Sequence, residues 1–294
     1  MHFQTLNIET MTEYIVTGRT NGTTRMGSPY CTLKVKNLED EKTVAVWDVA
    51  PDEGPKAGQL VSFRTLQDND GKVSARKLDM LPGVMPDAGH PLYHLLPRPV
   101  SREEWQRTMD NLLKLCEASP LKDFIAETAD KLFAPYSQFP AATSIHHAYR
   151  GGLLNHTWQM LHMLEGLAPC LPYPVRVDHC VVATLFHDYG KVYTYSRDGE
   201  QQPSNYLLGH IYLSANKLHR ELERVGLDAA EIEIIVHIVL SHHGQLDYGS
   251  PVMPCSQEAV IVHMLDNLSA KTDTIEHSGN MEYVSALGTH VVKQ

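Results

Sequence analysis

The chain has 294 residues, 43% of them hydrophobic and 20% charged, the composition of a folded globular protein with room for one large or two modest domains and not of a disordered chain. Its net charge is −10, no apolar run approaches the ~18 residues needed to cross a bilayer, and the start MHFQTLNIETMTEY lacks both a basic n-region and an apolar h-region, so neither a membrane-spanning nor a signal-bearing protein is expected. Five cysteines (Cys31, Cys116, Cys170, Cys180 and Cys255) form no C-x-x-C pair, so neither a disulfide framework nor a thiolate zinc site reads out, and a reducing cytoplasm is the expected compartment.

From Thr12 to about Met80 the text reads as five short strands: TEYIVTGRT, PYCTLKVK, TVAVWDV, QLVSFRTLQ and KVSARKLDM. Asn21–Gly22 and Gly54–Gly58 punctuate the earlier gaps, and Asp68, Asn69, Asp70 and Gly71 supply a turn between the last two strands. Five strands of this length predict a small barrel of the OB type, although an SH3-like barrel or an open meander would give nearly the same pattern. Tyr14, Tyr30, Trp47, Phe63, Lys34, Lys36 and Arg64 are its candidates for stacking on and neutralising a single nucleic-acid strand, each equally readable as core or solvated face.

Five prolines and two glycines between Leu81 and Pro99 read as a linker. Ser101 with Glu104 forms a capping box, and everything after it looks helical. Apolar stripes run through Leu153, Leu154, Trp158, Leu161 and Leu164, through Val177, Val181 and Leu185, through Ile211, Ala215, Leu218 and Leu222 with Gly226 as the stop, and through Ile232, Ile235 and Val239. A last helix spans about Gln257 to Lys271. The charge is uneven along this plan: residues 140–294 hold 9 Lys/Arg against 16 Asp/Glu, which by itself argues against an anionic substrate there. Bound dications would reverse that locally.

Twelve of the 17 histidines lie between His146 and His263. No Walker A loop, G-x-G-x-x-G, H-E-x-x-H or G-x-S-x-G motif is present. Instead His156, the adjacent His187 and Asp188, His210, the adjacent His242 and His243, and Asp266 each fall on or beside an apolar stripe, facing a bundle interior. Burying seven such groups without partners would cost several kcal/mol each, and no comparable set of interior Lys or Arg is in view, so metal is the economical partner. Imidazole and carboxylate without thiolate suit first-row ions, and seven ligands exceed one tetrahedral site, which points to a pair of ions bridged by a carboxylate.

The order H, HD, H, HH, D, with an HD-x-G-K stretch, resembles the HD-domain metal-dependent phosphohydrolases. The strings HHAYRGGLLNHT, LFHDYGKV, LLGHI, HIVLSHHGQLDYGSP and EAVIVHMLDNLSAK resemble more narrowly the YhaM-type 3′→5′ exoribonucleases, whose members carry an OB-fold domain ahead of the HD domain. ALGTHVVKQ at the C-terminus and Arg150 depart from that pattern.

The resemblance implies an OB-like nucleic-acid-binding domain at residues 1–84, a Pro-rich linker with connecting helices at 85–139 and an HD phosphohydrolase domain at 140–294. It implies that His156, His187, Asp188 and Asp266 hold one divalent ion, and that Asp188 bridges to a second held by His210, His242 and His243. Mn2+ is the foremost metal, with other first-row ions or Mg2+ as alternatives. His242 and His243 can serve one ion only if the helix ends there, which Gly244 would allow; the alternative is one ligand and one supporting histidine. Lys191 contacts a substrate phosphate or is a surface lysine, and His146, His147 and Arg150 either line the substrate cleft or cap and support it. The implied activity is hydrolysis of single-stranded RNA, with single-stranded DNA as a further substrate and a homo-oligomer as a further partner. The alternatives are an HD hydrolase of small nucleotides or cyclic dinucleotides, and a strand-binding protein with an inactive HD domain.

Overall fold

A computed structural model describes residues 11–50, 53–69, 72–86, 89–96, 99–143, 146–197, 199–278, 281, 283–285 and 287–293. The first ten residues, on which the lack of a leader was read, and Asp70, Gly71 and Pro97 lie outside the described residues. The chain divides into two compact units, Met1–Pro97 and Arg98–Gln294.

The first unit is a curled mixed sheet of seven strands among the described residues, not five: β1 (Glu13–Thr23), β2 (Pro29–Lys36), β3 (Glu41–Trp47), β4 (Leu60–Phe63), β5 (Gln67–Asn69), β6 (Lys72–Arg76) and β7 (Met80–Pro82), in the order β5-β6-β3-β2-β1-β4-β7. Only β3 and β6 pair in parallel. Alternation drives the pairing. Cys31, Leu33 and Val35 of β2 and Val44 and Val46 of β3 point inward and pack with Val16, Val61 and Ala75. The two extra strands arise because both late strings are broken, QLVSFRTLQ after Phe63 and KVSARKLDM by a single 3-10 turn at Lys77–Asp79.

Asn21–Gly22 is not a turn. Both residues lie inside β1, where Gly22 faces Tyr30 and a Cβ would come within 2.5 Å of that ring; the chain reverses later, with Gly27 at φ +88°. Nor is the whole stretch after Leu81 a free linker, since Leu60 N–H donates to Val84 O, Gly83 N–H donates to Leu60 O and His90 lies 3.2 Å from Glu13. Tyr14 and Phe63, readable equally as nucleic-acid contacts or as core, are core residues. Trp47 is 40% exposed and leans on half-buried Tyr30 at 5.3 Å, while Lys34 and Lys36 are half-buried and Arg64 exposed.

The second unit packs α1 (Arg102–Leu115), α2 (Pro120–Tyr136), α3 (Gly152–Leu167), α4 (Val177–Phe186), α5 (Lys191–Thr194), α6 (Pro203–Leu207), α7 (Gly209–Val225), α8 (Ala229–Ser241) and α9 (Gln257–Glu276) around one core. The Ser101–Glu104 capping box opens α1, and Gly226 at φ +83° closes α7. Trp105 is fully buried and its indole N–H donates to Ala129 O, while Trp158 is half-buried and donates to Thr108 Oγ1. Tyr136, also fully buried, donates to Leu185 O at 2.6 Å and so anchors the end of α4. The last helix runs five residues beyond the expected Lys271, and the all-helical expectation fails at a small antiparallel pair, β8 (Tyr283–Val284) with β9 (Thr289–His290). Ala286 and Gln294 of the divergent tail lie outside the described residues. No described helix is long and apolar enough to cross a membrane.

Candidate metal centre

Five helices deliver the centre from their core-facing sides or their ends. His156 projects from the second turn of α3 and Asp266 from the middle of α9, both on the stripe that faces the interior. His187 and Asp188 follow the last residue of α4, His210 is the second residue of α7, and His242 and His243 follow the end of α8. The helix does end before the histidine pair: Gly244 takes φ +78°, and a Cβ there would come within 2.0 Å of the His263 ring. With α8 stopped, His242 and His243 turn toward the same place as His210, their ring centroids 4.4 Å apart.

All seven side chains predicted to be ligands come together, in two groups. His156, His187 and Asp266 converge on one side, with His156 Nε2 3.0 Å from Asp266 Oδ1 and 3.2 Å from His187 Nε2. His210, His242 and His243 converge on the other. The Asp188 carboxylate stands between them. Its Oδ2 lies 3.2 Å from His187 Nε2 and 3.8 Å from His156 Nε2, and its Oδ1 lies 3.5 Å from His210 Nε2 and 3.9 Å from His242 Nε2.

These residues fit a cation. Asp188 Oδ1, His210 Nε2 and His242 Nε2 are buried without a hydrogen-bond partner, a costly arrangement for three lone-pair donors that an ion would satisfy together. The main chain already holds the far nitrogens, since Nδ1 of His187, His242 and His243 meets the carbonyls of Thr184, Val239 and Tyr248 at 2.6–2.8 Å. A carbonyl only accepts, so each Nδ1 carries a proton, which leaves Nε2 as the nitrogen that can ligate.

The protonation states of the two carboxylates and of His210 and His242 agree with that use. Burial pushes the Asp188 carboxyl up, but Lys191 and His187 outweigh it and hold it well below the usual range. Burial likewise opposes ionisation of Asp266, and His156 beside it overcomes that. Burial pushes His210 down to about 3 and drives His242 well below its ordinary value, so both are neutral near pH 7.

Lys191 is not a surface lysine. It is 6% exposed, and its Nζ lies 2.6 Å from Asp188 Oδ2, which places a cation inside the bundle where none was expected to pair the carboxylates. His146 and His147 stand beside His156, one nitrogen from each of the three within 4.8 Å of the others, and Nδ1 of both is buried without a partner. Burial pushes them to about 4 and about 3. Arg150 is exposed and hydrogen-bonded to Gln138. Three residues that sequence reasoning missed border the centre: Gln159, Ser269 and Asp273. Their spacing was a usable signal, because Gln159 follows His156 by three residues and Ser269 and Asp273 follow Asp266 by three and seven, on the same helix faces.

Residues 153–271 match the family model described as the HD domain. The chain carries an HD domain. The match begins just after the entry to α3 and ends within α9, so it encloses both ligand groups of the HD domain. The chain is also similar to two proteins named 3′-5′ exoribonuclease YhaM: that of Bacillus velezensis, 27% identical over 269 residues covering 88% of this chain and 83% of the relative, and that of a Geobacillus species, 27% identical over 276 residues covering 88% and 81%. This is the resemblance that the motifs indicated, and the HD domain with these relatives makes the chain a hydrolytic enzyme. No solved structure matches the chain with comparable significance.

Proposed function

We propose that the protein is a metal-dependent 3′→5′ exoribonuclease that shortens single-stranded RNA and releases nucleoside 5′-monophosphates. The observation that carries the reading is the Asp188 carboxylate with one oxygen toward each imidazole group, the position a bridging ligand takes between two divalent ions. The substrate class and polarity come from the names of the two relatives.

In this reading His156, His187, Asp188 and Asp266 hold one ion and Asp188, His210, His242 and His243 the other, with Mn2+ as the foremost metal. Bound there, such ions supply a water acidified toward neutrality and positive charge against the phosphate oxygens. Asp188 and Asp266 contribute fixed negative charge. The neutral imidazoles of His210 and His242 contribute lone pairs without competing protons. Lys191, held by Asp188, offers its ammonium to a non-bridging oxygen of the scissile phosphate, and His146 lies beside the first group, where a substrate would pass.

The sheet unit supports the strand-binding half of the proposal as an OB-like fold. Counting β4 with β5 and β6 with β7 as two interrupted strands gives five, with the third parallel to the fifth, the fifth antiparallel to the fourth and the fourth antiparallel to the first. Exposed Trp47 against Tyr30 then offers a stacking surface. A hydrolase of small nucleotides is the second reading, favoured by the acidic excess of 16 over 9 across residues 140–294.

Incubation with 5′-labelled single-stranded RNA and Mn2+ distinguishes them. The expected result is a ladder shortening one nucleotide at a time, with 5′-monophosphates released, and its loss in Asp188→Asn with an unchanged circular dichroism spectrum. Cleavage of mononucleotides or dinucleotides alone, or release of 3′-monophosphates, overturns the exoribonuclease reading.

A further inference from the structure

Four of the histidines around the centre are held at their outer nitrogen in two different ways. His187, His242 and His243 rest on backbone carbonyls, which fixes their tautomer through the fold itself. His156 has no such carbonyl. Its Nδ1 lies 2.9 Å from Ser269 Oγ, and Ser269 Oγ–H donates to Gln159 Oε1 at 2.8 Å. The same amide oxygen lies 3.1 Å from His147 Nε2.

The proton count along this chain of atoms is determined. An amide oxygen has lone pairs and no proton, so Ser269 and His147 both donate to it. Ser269 has one hydroxyl proton and gives it to Gln159, so toward His156 it can only accept. His156 Nδ1 must therefore carry a proton, which reserves Nε2, 3.0 Å from Asp266 Oδ1 and 3.2 Å from His187 Nε2, for an ion, or for a proton given to Asp266 when the site is empty. At His147 the result is reversed. Nε2 carries the proton and the lone pair is left on Nδ1, which is buried without a partner next to the equally unpartnered Nδ1 of His146. With the amide turned over, Gln159 would offer hydrogens to both neighbours, Ser269 would be free to donate to His156 Nδ1, and the proton would move to His156 Nε2, where it blocks ligation.

We propose that Gln159 is a positioning residue that sets the tautomers of two histidines at once, that of His156 through Ser269 and that of His147 directly, and thereby the metal affinity of the first ligand group. Backbone geometry supports the cost spent on placing His147: its φ is +46°, a strained value for a side-chain-bearing residue, its N–H donates to Asp273 Oδ2 at 2.7 Å, and Gly152 makes room for its carbonyl, which a Cβ there would approach to 2.0 Å. The inference rests on the metal-centre reading but not on the identity of the substrate.

The test uses the full-length protein. Long-range 1H–15N correlation of the metal-free protein at about pH 8, above the ordinary histidine range, reads each tautomer directly. His156 is expected with a proton on Nδ1, with or without a second on Nε2 shared with Asp266, and His147 as the Nε2–H form. Gln159→Met, of similar volume and without an acceptor, should shift His156 toward Nε2–H and lower the Mn2+ affinity measured by calorimetry about 10- to 100-fold. Ser269→Ala should disturb His156 and leave His147 unchanged, a selectivity that loss of packing would not produce. Gln159→Glu keeps the acceptor and should keep the His156 tautomer. If Gln159→Met fails to fold, Ser269→Ala decides. Wild-type His156 in the Nε2–H form, or variants with unchanged tautomers and Mn2+ affinity within twofold, overturns the proposal. None of these readouts involves RNA, so a protein with the expected tautomers that leaves RNA intact would uphold this inference and sink the exoribonuclease reading alone.

Discussion

At the scale of single residues the HD centre mixes groups that ionise easily in place with groups prevented from doing so. Lys191 is the least expected of them. Its spacing after Asp188 was visible, but whether the side chain returns to the carboxylate or runs out to solvent depends on the turn between α4 and α5, which no periodicity encodes. A buried ion pair broken at one partner is costly, so Lys191→Met should destabilise the protein in a chelator by about 3–5 kcal/mol. Saturating Mn2+ should recover most of that loss by replacing the missing charge; denaturant melts with and without metal check this. A second prediction concerns Asp178, away from the centre. Burial raises its pKa, and the Arg176 guanidinium at 2.8 Å outweighs burial and holds it below the ordinary value. A carboxylate so depressed stabilises the fold above its unfolded pKa of about 3.9 and loses that contribution as pH falls through the folded value. Asp178→Asn should therefore cost about 1–3 kcal/mol near pH 7, with the gap to wild type closing below about pH 4 in thermal melts.

Elements with a long period were legible and short ones were not. The capping box at Ser101, the stop at Gly226 and the stripes of α3, α7 and α8 appear where the sequence places them, because each repeats an apolar contact over several turns. The four-residue α5, five-residue α6 and three-residue β5 and β7 carry too few residues for a repeat, and tertiary contacts select them. Asn21–Gly22 misled for a related reason: its turn propensity is local, whereas Gly22 is required by the Tyr30 ring across the strand pair. Gly190, inside the HD-x-G-K stretch, is another residue whose reason lies elsewhere. A Cβ there would stand 2.2 Å from His210 O, so the α4–α5 turn and the start of α7 can meet only at glycine. Gly190→Ala should destabilise the unit by at least about 1–3 kcal/mol and move His210 away from Asp188. The expected result is weaker Mn2+ binding with little change in helix content, measured by calorimetry and circular dichroism; unchanged binding would refute the close-packing argument.

For the whole molecule, each unit has its own hydrophobic core: residues between Tyr14 and Met80 in the first, residues between Val100 and Leu265 in the second. A truncated form starting near Pro99 should therefore fold, keep both ligand groups and still hydrolyse a dinucleotide. It should lose the advantage on long strands that the sheet unit supplies. Every phosphate that the sheet unit neutralises steepens the slope of log affinity against log salt by about 0.7 for a single strand, so the intact chain should show the stronger salt dependence on long RNA. Measuring kcat/KM on a dinucleotide and on a long strand, for both forms at two salt concentrations, gives the comparison. Equal length preference in the two forms would assign the sheet a role other than holding substrate.

The placement of the three tryptophans gives each unit its own optical signal. Trp47 is open to solvent on the sheet unit, whereas Trp105 is sealed in the helical core and Trp158 lies half-covered against His162. An aqueous quencher such as iodide should dim the sheet unit's red-shifted fluorescence first and leave the blue emission of Trp105 standing. A base stacked over Trp47 would shield that indole from iodide, so occupancy of the sheet by RNA can be followed by light in the unlabelled protein while the helical unit serves as its internal reference.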